Sequence, residues 1–201
     1  MLEEYSPERP LFGGAITCKF PQRLQDVSNI RQVPDHQEAF ADPARDESLV
    51  FELLELKHDI DDAGGAAHFF LDLATEQAAG GVLVSEQSGV FHADWLGYKN
   101  SPVAITTAVG QMDISKERQG REAQNRVRVY LGNLRLKEVA TDVLITAYEP
   151  IFINPLSVSA GAVGSGLVAP ASRCGCMGMA EIFSLAVSTF RVHDWTLFGS
   201  R

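Results

Sequence analysis

Apolar positions in the middle of the chain follow two patterns, and both predict β-strands. Residues 103–109 alternate larger and smaller side chains, which is the period of a strand with two unlike faces. Residues 48–56 and 143–145 are instead apolar at both parities, as is typical of strands covered on both sides. The central part of the chain is therefore predicted to form a sheet whose middle strands are buried on both faces.

Two details of this pattern carry further expectations. Residues 127–136 change the parity of their apolar side chains at Gly132-Asn133, which predicts a bulge or tight turn there. Glu52 and Glu55 lie three positions apart in the apolar run of residues 48–56. In a regular strand that spacing points their side chains to opposite faces, whereas in a helix they would share one side. The pattern itself allows either, and a strand is preferred because turn residues precede the segment and because of Val50-Phe51.

Helical spacing of apolar residues marks residues 66–78 and 179–190. The aspartates of residues 59–62 precede the first of these segments and are expected in the first turn of the helix, where the dipole favours negative charge. Residues 26–30 are interpreted as a single helical turn that Asp26 caps.

Consecutive strands with short connections, and helices separated by a long block of strands, favour a mostly antiparallel sheet over repeated βαβ units. Because strands buried on both faces need cover on both sides, the predicted fold is α+β, a three-layer α/β/α sandwich. One domain, residues 1–201, accounts for the length. Residues 155–175 lack aromatic side chains and are rich in Gly, Ser, Ala and Val, and are interpreted as a flexible insertion.

Charge narrows the choice of partner. The chain has 26 acidic and 17 basic residues and a formal net charge of −9, without the basic run that a nucleic-acid partner requires. A basic protein surface is the more plausible partner. The acidic start is unlike a signal peptide, and no apolar run is long enough for a membrane span. A soluble, intracellular and monomeric protein is expected.

The sequence offers no motif for catalysis, a metal or a cofactor. Neither the Gly-x-x-x-x-Gly-Lys-Ser/Thr phosphate loop nor Gly-x-Gly-x-x-Gly occurs. Cys174 and Cys176 are separated by one residue, whereas structural zinc knuckles usually have two to four between the ligands. An odd number of cysteines, completed by Cys18, indicates a reducing compartment. No metal site, cofactor or catalytic residue is therefore predicted.

Five of the acidic residues between positions 26 and 55 are candidates for a binding site, and they lie in one span of thirty residues: Asp26, Asp35, Glu38, Glu52 and Glu55. They can be ordinary surface acids, or a negative patch that docks a basic partner and steers its approach. Their spacing alone does not decide between these two interpretations.

Four segments carry a family resemblance: residues 9–16 (Arg-Pro-Leu-Phe-Gly-Gly-Ala-Ile), 26–28, 31–40 (Arg-Gln-Val-Pro-Asp-His-Gln-Glu-Ala-Phe) and 48–56. In this order they resemble the Ran guanine nucleotide release factor family, the Mog-type nuclear import factors. Weaker similarity extends to residues 193–199, so that the resemblance covers nearly the whole chain except residues 154–175.

The resemblance implies a six-stranded antiparallel sheet with helices on both sides, similar to an extrinsic subunit of photosystem II. It implies the small GTPase Ran as partner, and a role in releasing Ran's nucleotide and in nuclear import, in nucleus and cytoplasm. The family's Ran-contacting acids correspond to Asp26, Asp35, Glu38, Glu52 and Glu55. The alternative is a non-catalytic trafficking adaptor that escorts Ran or a membrane-protein cargo.

Overall fold

The computed structural model describes residues 3–29, 33–99 and 101–199, and strands make up most of its regular structure. The strands, in chain order, are β1 (Glu8–Leu11), β2 (Ile16–Lys19), β3 (Gln25–Asp26), β4 (Gln37–Asp42), β5 (Glu47–Glu55), β6 (Gly80–Gln87), β7 (Phe91–Tyr98), β8 (Ser101–Ile114), β9 (Asn125–Leu136), β10 (Thr141–Ile153), β11 (Gly166–Leu167) and β12 (Arg191–Val192). The α-helices of the described part are α1 (Gly65–Glu76), α2 (Val158–Val163) and α3 (Met179–Thr189).

Nine of these strands form the main sheet, in the order β3-β4-β5-β10-β9-β8-β6, with β7 also paired to β8 and β11 to β10. The described strand pairs are antiparallel. β1, β2 and β12 form a separate three-stranded sheet, in which Ile16 pairs with Val192. This small sheet ties the two ends of the described chain together.

One face of the main sheet is covered by α1 and is called the α1 face. Ala66, Phe69, Phe70 and Ala74 recur at helical spacing and are buried in a core with apolar residues of β8, β9 and β10. On the opposite face, the α3 face, α3 and the three-stranded sheet enclose the larger core. Central strands are therefore buried on both sides, as their apolar pattern indicated.

The predicted three-layer α/β/α sandwich, however, is wrong. The main sheet has nine strands rather than six, and a single α-helix covers the α1 face where a helical layer was expected. On the α3 face the cover is shared between α3 and the three-stranded sheet, whose Leu11, Ile16 and Cys18 are fully buried. The error has a simple physical origin, since an apolar sheet face can be covered by a second sheet as well as by helices.

Two local expectations also fail. β9 keeps its register with both neighbours through Gly132 and Asn133, so no bulge lies there. Both parities are apolar because β9 is buried on both faces, and Gly132 instead leaves room for α3: a Cβ atom there would lie 3.3 Å from Cζ of Phe183. In the predicted helical turn, Asp26 belongs to β3 and its carboxylate accepts a hydrogen bond from the Ser28 amide at 2.9 Å, while Ile30 lies outside the described residues.

The segment 155–175 has short elements of its own. Ser157 caps α2 by accepting a hydrogen bond from the Ser159 amide at 3.2 Å, β11 pairs with the end of β10, and residues Ala171–Cys174 form a 3-10 helix. Its flexibility stays a prediction. Among the described residues, no helix combines the length and apolar character that crossing a membrane requires.

Candidate partner-binding site

The strands β3, β4 and β5 form one edge of the main sheet and bring the five candidate carboxylates to it. In the antiparallel register, Asp26 of β3 lies opposite Phe40 of β4, and Gln37 lies opposite Glu52 of β5. Asp35 lies in the turn before β4, and Glu55 is the last residue of β5. The five carboxylates thus lie at one edge of the sheet, but because side chains alternate along each strand they are distributed over both faces.

Glu38 and Asp26 lie on the α3 face. Glu38 pairs in register with Phe51, which is buried in the core of that face, and its carboxylate accepts a hydrogen bond from the Phe12 amide at 2.7 Å. Burial raises the pKa of Glu38; the Phe12 hydrogen bond opposes this shift, and the charge of Asp26 adds to it. Glu38 is therefore engaged within the chain, whereas the neighbouring Asp26 is exposed.

The Glu38 hydrogen bond supports an unusual stretch of backbone. Phe12 has φ +50°, followed by +68° at Gly13 and +90° at Gly14. Glycine adopts such angles readily, whereas phenylalanine does so at a cost of order 1 kcal/mol or more. Because its amide is fixed by Glu38, Phe12 is held in this conformation next to the acidic edge.

Arg9 contributes a positive charge that interacts with Asp26. Its guanidinium lies over the ring of Phe20, 4.4 Å from the centroid, and donates hydrogen bonds to the carbonyls of Pro21 at 3.2 Å and Leu24 at 2.6 Å. Burial lowers the pKa of Arg9, and the charge of Asp26 counteracts that shift. Part of the negative field of Asp26 is therefore balanced inside the protein.

Glu52 lies on the α1 face, opposite in direction to Glu38. Its β10 partner is Leu144, which belongs to the core under α1. The Glu52 side chain is 23 % exposed and its Oε1 lies 3.5 Å from Nε2 of His36. Burial raises the pKa of the Tyr148 hydroxyl, and the charges of Glu52 and of Glu76 raise it further. Sequence reasoning did not connect Glu76, at the end of α1, with this edge.

Asp35 and Glu55 are exposed at the same end of the sheet. Glu55 pairs in register with Thr141, the first residue of β10, and lies on the α3 face with Leu53. Glu52 and Glu55 therefore point to opposite faces, as the strand period predicted. A partner can reach both only from the end or the edge of the sheet.

A buried polar network anchors the chain that follows Glu55. The carboxylate of Asp142 accepts hydrogen bonds from the Lys57 amide at 2.9 Å, from Nδ2 of Asn133 at 3.1 Å and from Nε of Arg135 at 3.1 Å. Arg135 also donates to the Ile60 carbonyl at 2.8 Å. The loop between β5 and α1 is thereby fixed across the ends of β10 and β9, which holds the end of β5 in place.

The aspartates of this loop do not lie in the first turn of α1, contrary to expectation. The helix begins at Gly65 and has no acid in its first turn. Asp61 instead accepts a hydrogen bond from the Gly64 amide at 2.7 Å, and Asp62 pairs with Lys137 at 2.6 Å and with Arg135 at 3.3 Å. The only sequence signal was the run of acids before an apolar helix. The sequence could not show that Asp62 pairs with Arg135 of β9 and with Lys137 just after it.

The arrangement is that of an antiparallel β-sheet protein with a carboxylate-lined edge. Across the described ranges, no group of three His, Cys, Asp or Glu side chains is placed to hold a metal ion. Three of the five candidate acids, Asp26, Asp35 and Glu55, are exposed to solvent.

Comparison with known proteins places the chain in a family. The family described as "Ran-interacting Mog1 protein" matches residues 9–150. A zebrafish (Danio rerio) Ran guanine nucleotide release factor is 35% identical over 167 residues, covering 76% of this chain and 82% of that protein, and a human one is 32% identical over 190 residues, covering 94% and 95%. The chain therefore belongs to the Mog1 family, as the sequence resemblance indicated.

A solved structure supports the fold independently. The crystal structure of the Saccharomyces cerevisiae Ran-binding protein Mog1p aligns with a TM-score of 0.65 at 20% identity, covering 98% of this chain and 100% of that one. The sheet architecture described above, rather than the predicted three-layer sandwich, is thus the one shared with a Mog1 protein.

Proposed function

We propose that this chain binds the GTPase Ran, promotes release of its guanine nucleotide and thereby supports nuclear protein import. The observation that carries the proposal is membership of the Mog1 family, whose matching relatives are named Ran guanine nucleotide release factor in zebrafish and human and nuclear import protein mog1 in fission yeast. A place of action in nucleus and cytoplasm, and a monomeric state, belong to the same proposal.

The proposed mechanism needs no covalent chemistry. A small GTPase holds its nucleotide through backbone amides, a lysine and Mg²⁺. A factor that binds the nucleotide-free or opened form more tightly than the closed form shifts the population toward release, by no more than its differential affinity. The net charge of −9 suits approach to a basic surface of the partner.

The docking surface we propose is the carboxylate-lined edge of β3, β4 and β5. Asp26, Asp35 and Glu55 are exposed there and can pair with basic side chains, and Glu52 contributes from the other face at the strand end. Glu38 takes a different part in the proposal, because its carboxylate is already bound to the Phe12 amide. It orients the Phe12–Gly14 loop beside the acids.

The test reverses two of these charges, Glu52→Lys with Glu55→Lys. A matched control reverses Glu86 and Glu122, which are exposed on β6 and before β9, away from the β3–β5 edge. Binding is measured by titration against Ran loaded with GTP, loaded with GDP, or empty. We expect the affinity of the first variant to fall by about tenfold or more, the loss that follows from replacing attraction with like-charge repulsion, and the control to fall by much less.

Two outcomes would count against the proposal at different levels. Unchanged affinity in a folded Glu52→Lys/Glu55→Lys variant would remove the site assignment while leaving Ran as the partner. Absence of Ran binding by the unaltered chain would remove the function. The rate of nucleotide release from Ran, with and without the protein, separates exchange from the alternative of an escort, since an escort binds without accelerating release.

A further inference from the structure

Two cysteines, Cys174 near the end of residues 155–175 and Cys176 just after it, have no part in the proposed function. Cys174 ends a 3-10 helix and is exposed, Gly175 follows with φ +68°, and Cys176 is partly exposed. We propose that Cys174 and Cys176 are a redox-active dithiol, which a small disulfide of the glutathione class oxidises to an intramolecular disulfide.

The backbone geometry brings the two thiols within reach of each other. Consecutive Cα atoms are about 3.8 Å apart, so two residues on either side of a turned glycine fall near the roughly 4.4–6.8 Å that a disulfide requires. The turn is held by hydrogen bonds from the Gly175 amide to the Ser172 carbonyl at 3.2 Å and from the Cys176 amide to the Ala171 carbonyl at 3.1 Å. Sγ of Cys176 lies 3.6 Å from the Cys174 carbonyl oxygen, so this thiol is turned back toward its neighbour.

Two partly buried arginines, Arg23 and Arg45, supply positive charge beside the cysteines. Nη1 of Arg45 lies 3.5 Å from Sγ of Cys174 and donates a hydrogen bond to it, so that a positive charge lies next to this sulfur. Arg45 is itself fixed by Glu47, at 3.0 Å, and by the Ala169 carbonyl, at 2.9 Å. Partial burial raises the pKa of Cys176; the charges of Arg23 and Arg45 oppose this shift, and those of Glu4 and Cys174 add to it. Cys174 is therefore the attacking thiol and Cys176 the second one.

The attacking thiol, Cys174, is exposed to solvent. The second thiol, Cys176, lines with Arg45 a cleft of about 920 Å³, whose other charged lining residues are Arg128, Glu3, Glu4, Glu149 and Glu181. Cys18, by contrast, is fully buried in the core of the α3 face, where burial raises the pKa of its thiol. The same molecule thus contains an inert thiol as an internal control.

The reaction proceeds in two exchange steps. The Cys174 thiolate attacks one sulfur of glutathione disulfide, whose S–S bond breaks, and the first glutathione leaves as a thiolate that takes up the proton lost by Cys174. The Cys176 thiolate then attacks Sγ of Cys174, forms the intramolecular disulfide and expels the second glutathione, which takes up the proton of Cys176. The protein loses two electrons and two protons, and glutathione disulfide gains them to give two glutathione molecules.

The test uses the full chain in buffers of glutathione and glutathione disulfide, quenched with an alkylating reagent and mapped by peptide mass spectrometry. We expect oxidation to remove both alkylation sites of the 174–176 peptide, while Cys18 stays reduced. In Cys176→Ser the reaction should stop at a glutathione adduct on Cys174. In Cys174→Ser no intramolecular disulfide can form, and the glutathione adduct on Cys176 should form several-fold more slowly. A wild-type protein that stays reduced in excess glutathione disulfide, or that accumulates only glutathione adducts, would overturn the proposal.

The rate at which Cys174 is alkylated tests the role of Arg45 separately. Arg45→Gln should slow alkylation of Cys174 several-fold and Arg45→Lys should restore it, because the charge next to the sulfur is what matters. Cys18 reports on the fold in every variant, since a disrupted core would expose it to the reagent. An unchanged alkylation rate in Arg45→Gln with Cys18 still protected would contradict the assignment of Cys174 as the activated thiol.

Discussion

At the residue scale, Glu38 shows that acids clustered in sequence can have two different roles, one in holding local structure and one in presenting charge to solvent. Its neighbours Asp26 and Asp35 are exposed, whereas Glu38 is partly buried and accepts a hydrogen bond from the Phe12 amide at 2.7 Å. The hydrogen bond satisfies a backbone donor in a stretch with positive φ angles, so its contribution is to local structure. A carboxylate at an acidic edge can therefore shape the surface without meeting the partner directly.

The raised pKa of Glu38 gives a pH dependence of definite sign. Because the folded state holds the proton more tightly than the unfolded chain, the stability that this carboxyl contributes is fully present below its ordinary pKa of 4.5 and is lost as the pH rises through the raised value. We expect the free energy of unfolding of wild type, relative to Glu38→Gln, to decrease between pH 4.5 and 7, as measured by urea unfolding.

A second variant distinguishes this effect from loss of the hydrogen bond. Glu38→Ala leaves the Phe12 amide without its acceptor and should be less stable than Glu38→Gln by about 1 kcal/mol at both pH values. A wild-type free energy of unfolding that increases relative to that of Glu38→Gln as the pH rises would show that the pKa of Glu38 is not raised in the folded protein.

At the scale of elements, β8 shows how one position without a side chain fixes the packing of its neighbours. A Cβ atom on Gly110 would lie 2.2 Å from the carbonyl oxygen of Leu83 in β6 and 2.6 Å from Cζ of Phe70 in α1. Both contacts are too short to be tolerated without movement of backbone or of a fully buried ring. At Gly110, β6, β8 and α1 therefore approach one another closely.

Gly110→Ala is expected to destabilise the protein by about 1–3 kcal/mol through overpacking. Gly161→Ala is the control, since that glycine lies in α2, has nothing within 4 Å of its added Cβ atom and has no positive φ. There the change should be neutral or slightly stabilising, because alanine favours the helix. Equal unfolding free energies for the two variants in urea titrations would refute the close approach at Gly110.

At the scale of the whole molecule, the surplus of nine negative charges acts over longer distances than any single ion pair. Many acids are paired within the chain: Asp142 with Arg135, Glu47 with Arg23 and Arg45, and Asp72 with Lys57. The field available for a partner arises from the acids left exposed, which include Asp35 and Glu55. Such a field acts mainly on the rate of association.

We therefore expect the association rate constant with Ran to fall by about tenfold or more between roughly 0.01 M and 0.15 M salt, as the Debye length shortens from about 30 Å to about 8 Å. Stopped-flow measurements at several salt concentrations test this, and the Glu52→Lys/Glu55→Lys variant should show a shallower salt dependence. An association rate that does not change with salt would exclude electrostatic steering.

Much of the secondary structure could be predicted because it depends on neighbours in sequence. The apolar periods of residues 48–56, 103–109, 66–78 and 179–190 correspond to β5, β8, α1 and α3. The family motifs are likewise local, and the comparisons confirmed the membership that they indicated. The opposite directions of Glu52 and Glu55 follow from the strand period alone.

What only the tertiary structure decided concerns pairings between distant parts of the chain. Nothing local to Ile16 indicates that it pairs with Val192 in a second sheet that covers the α3 face, and for this reason the three-layer sandwich was wrong. In the same way, the sequence supplied the five acids, but the contact of Glu38 with the Phe12 amide and that of Glu52 with His36 arise only when the chain has folded. The apolar period of a strand or helix depends on residues close together in sequence. Which element covers a sheet face, and which charges are paired, depends on the surfaces that meet after folding.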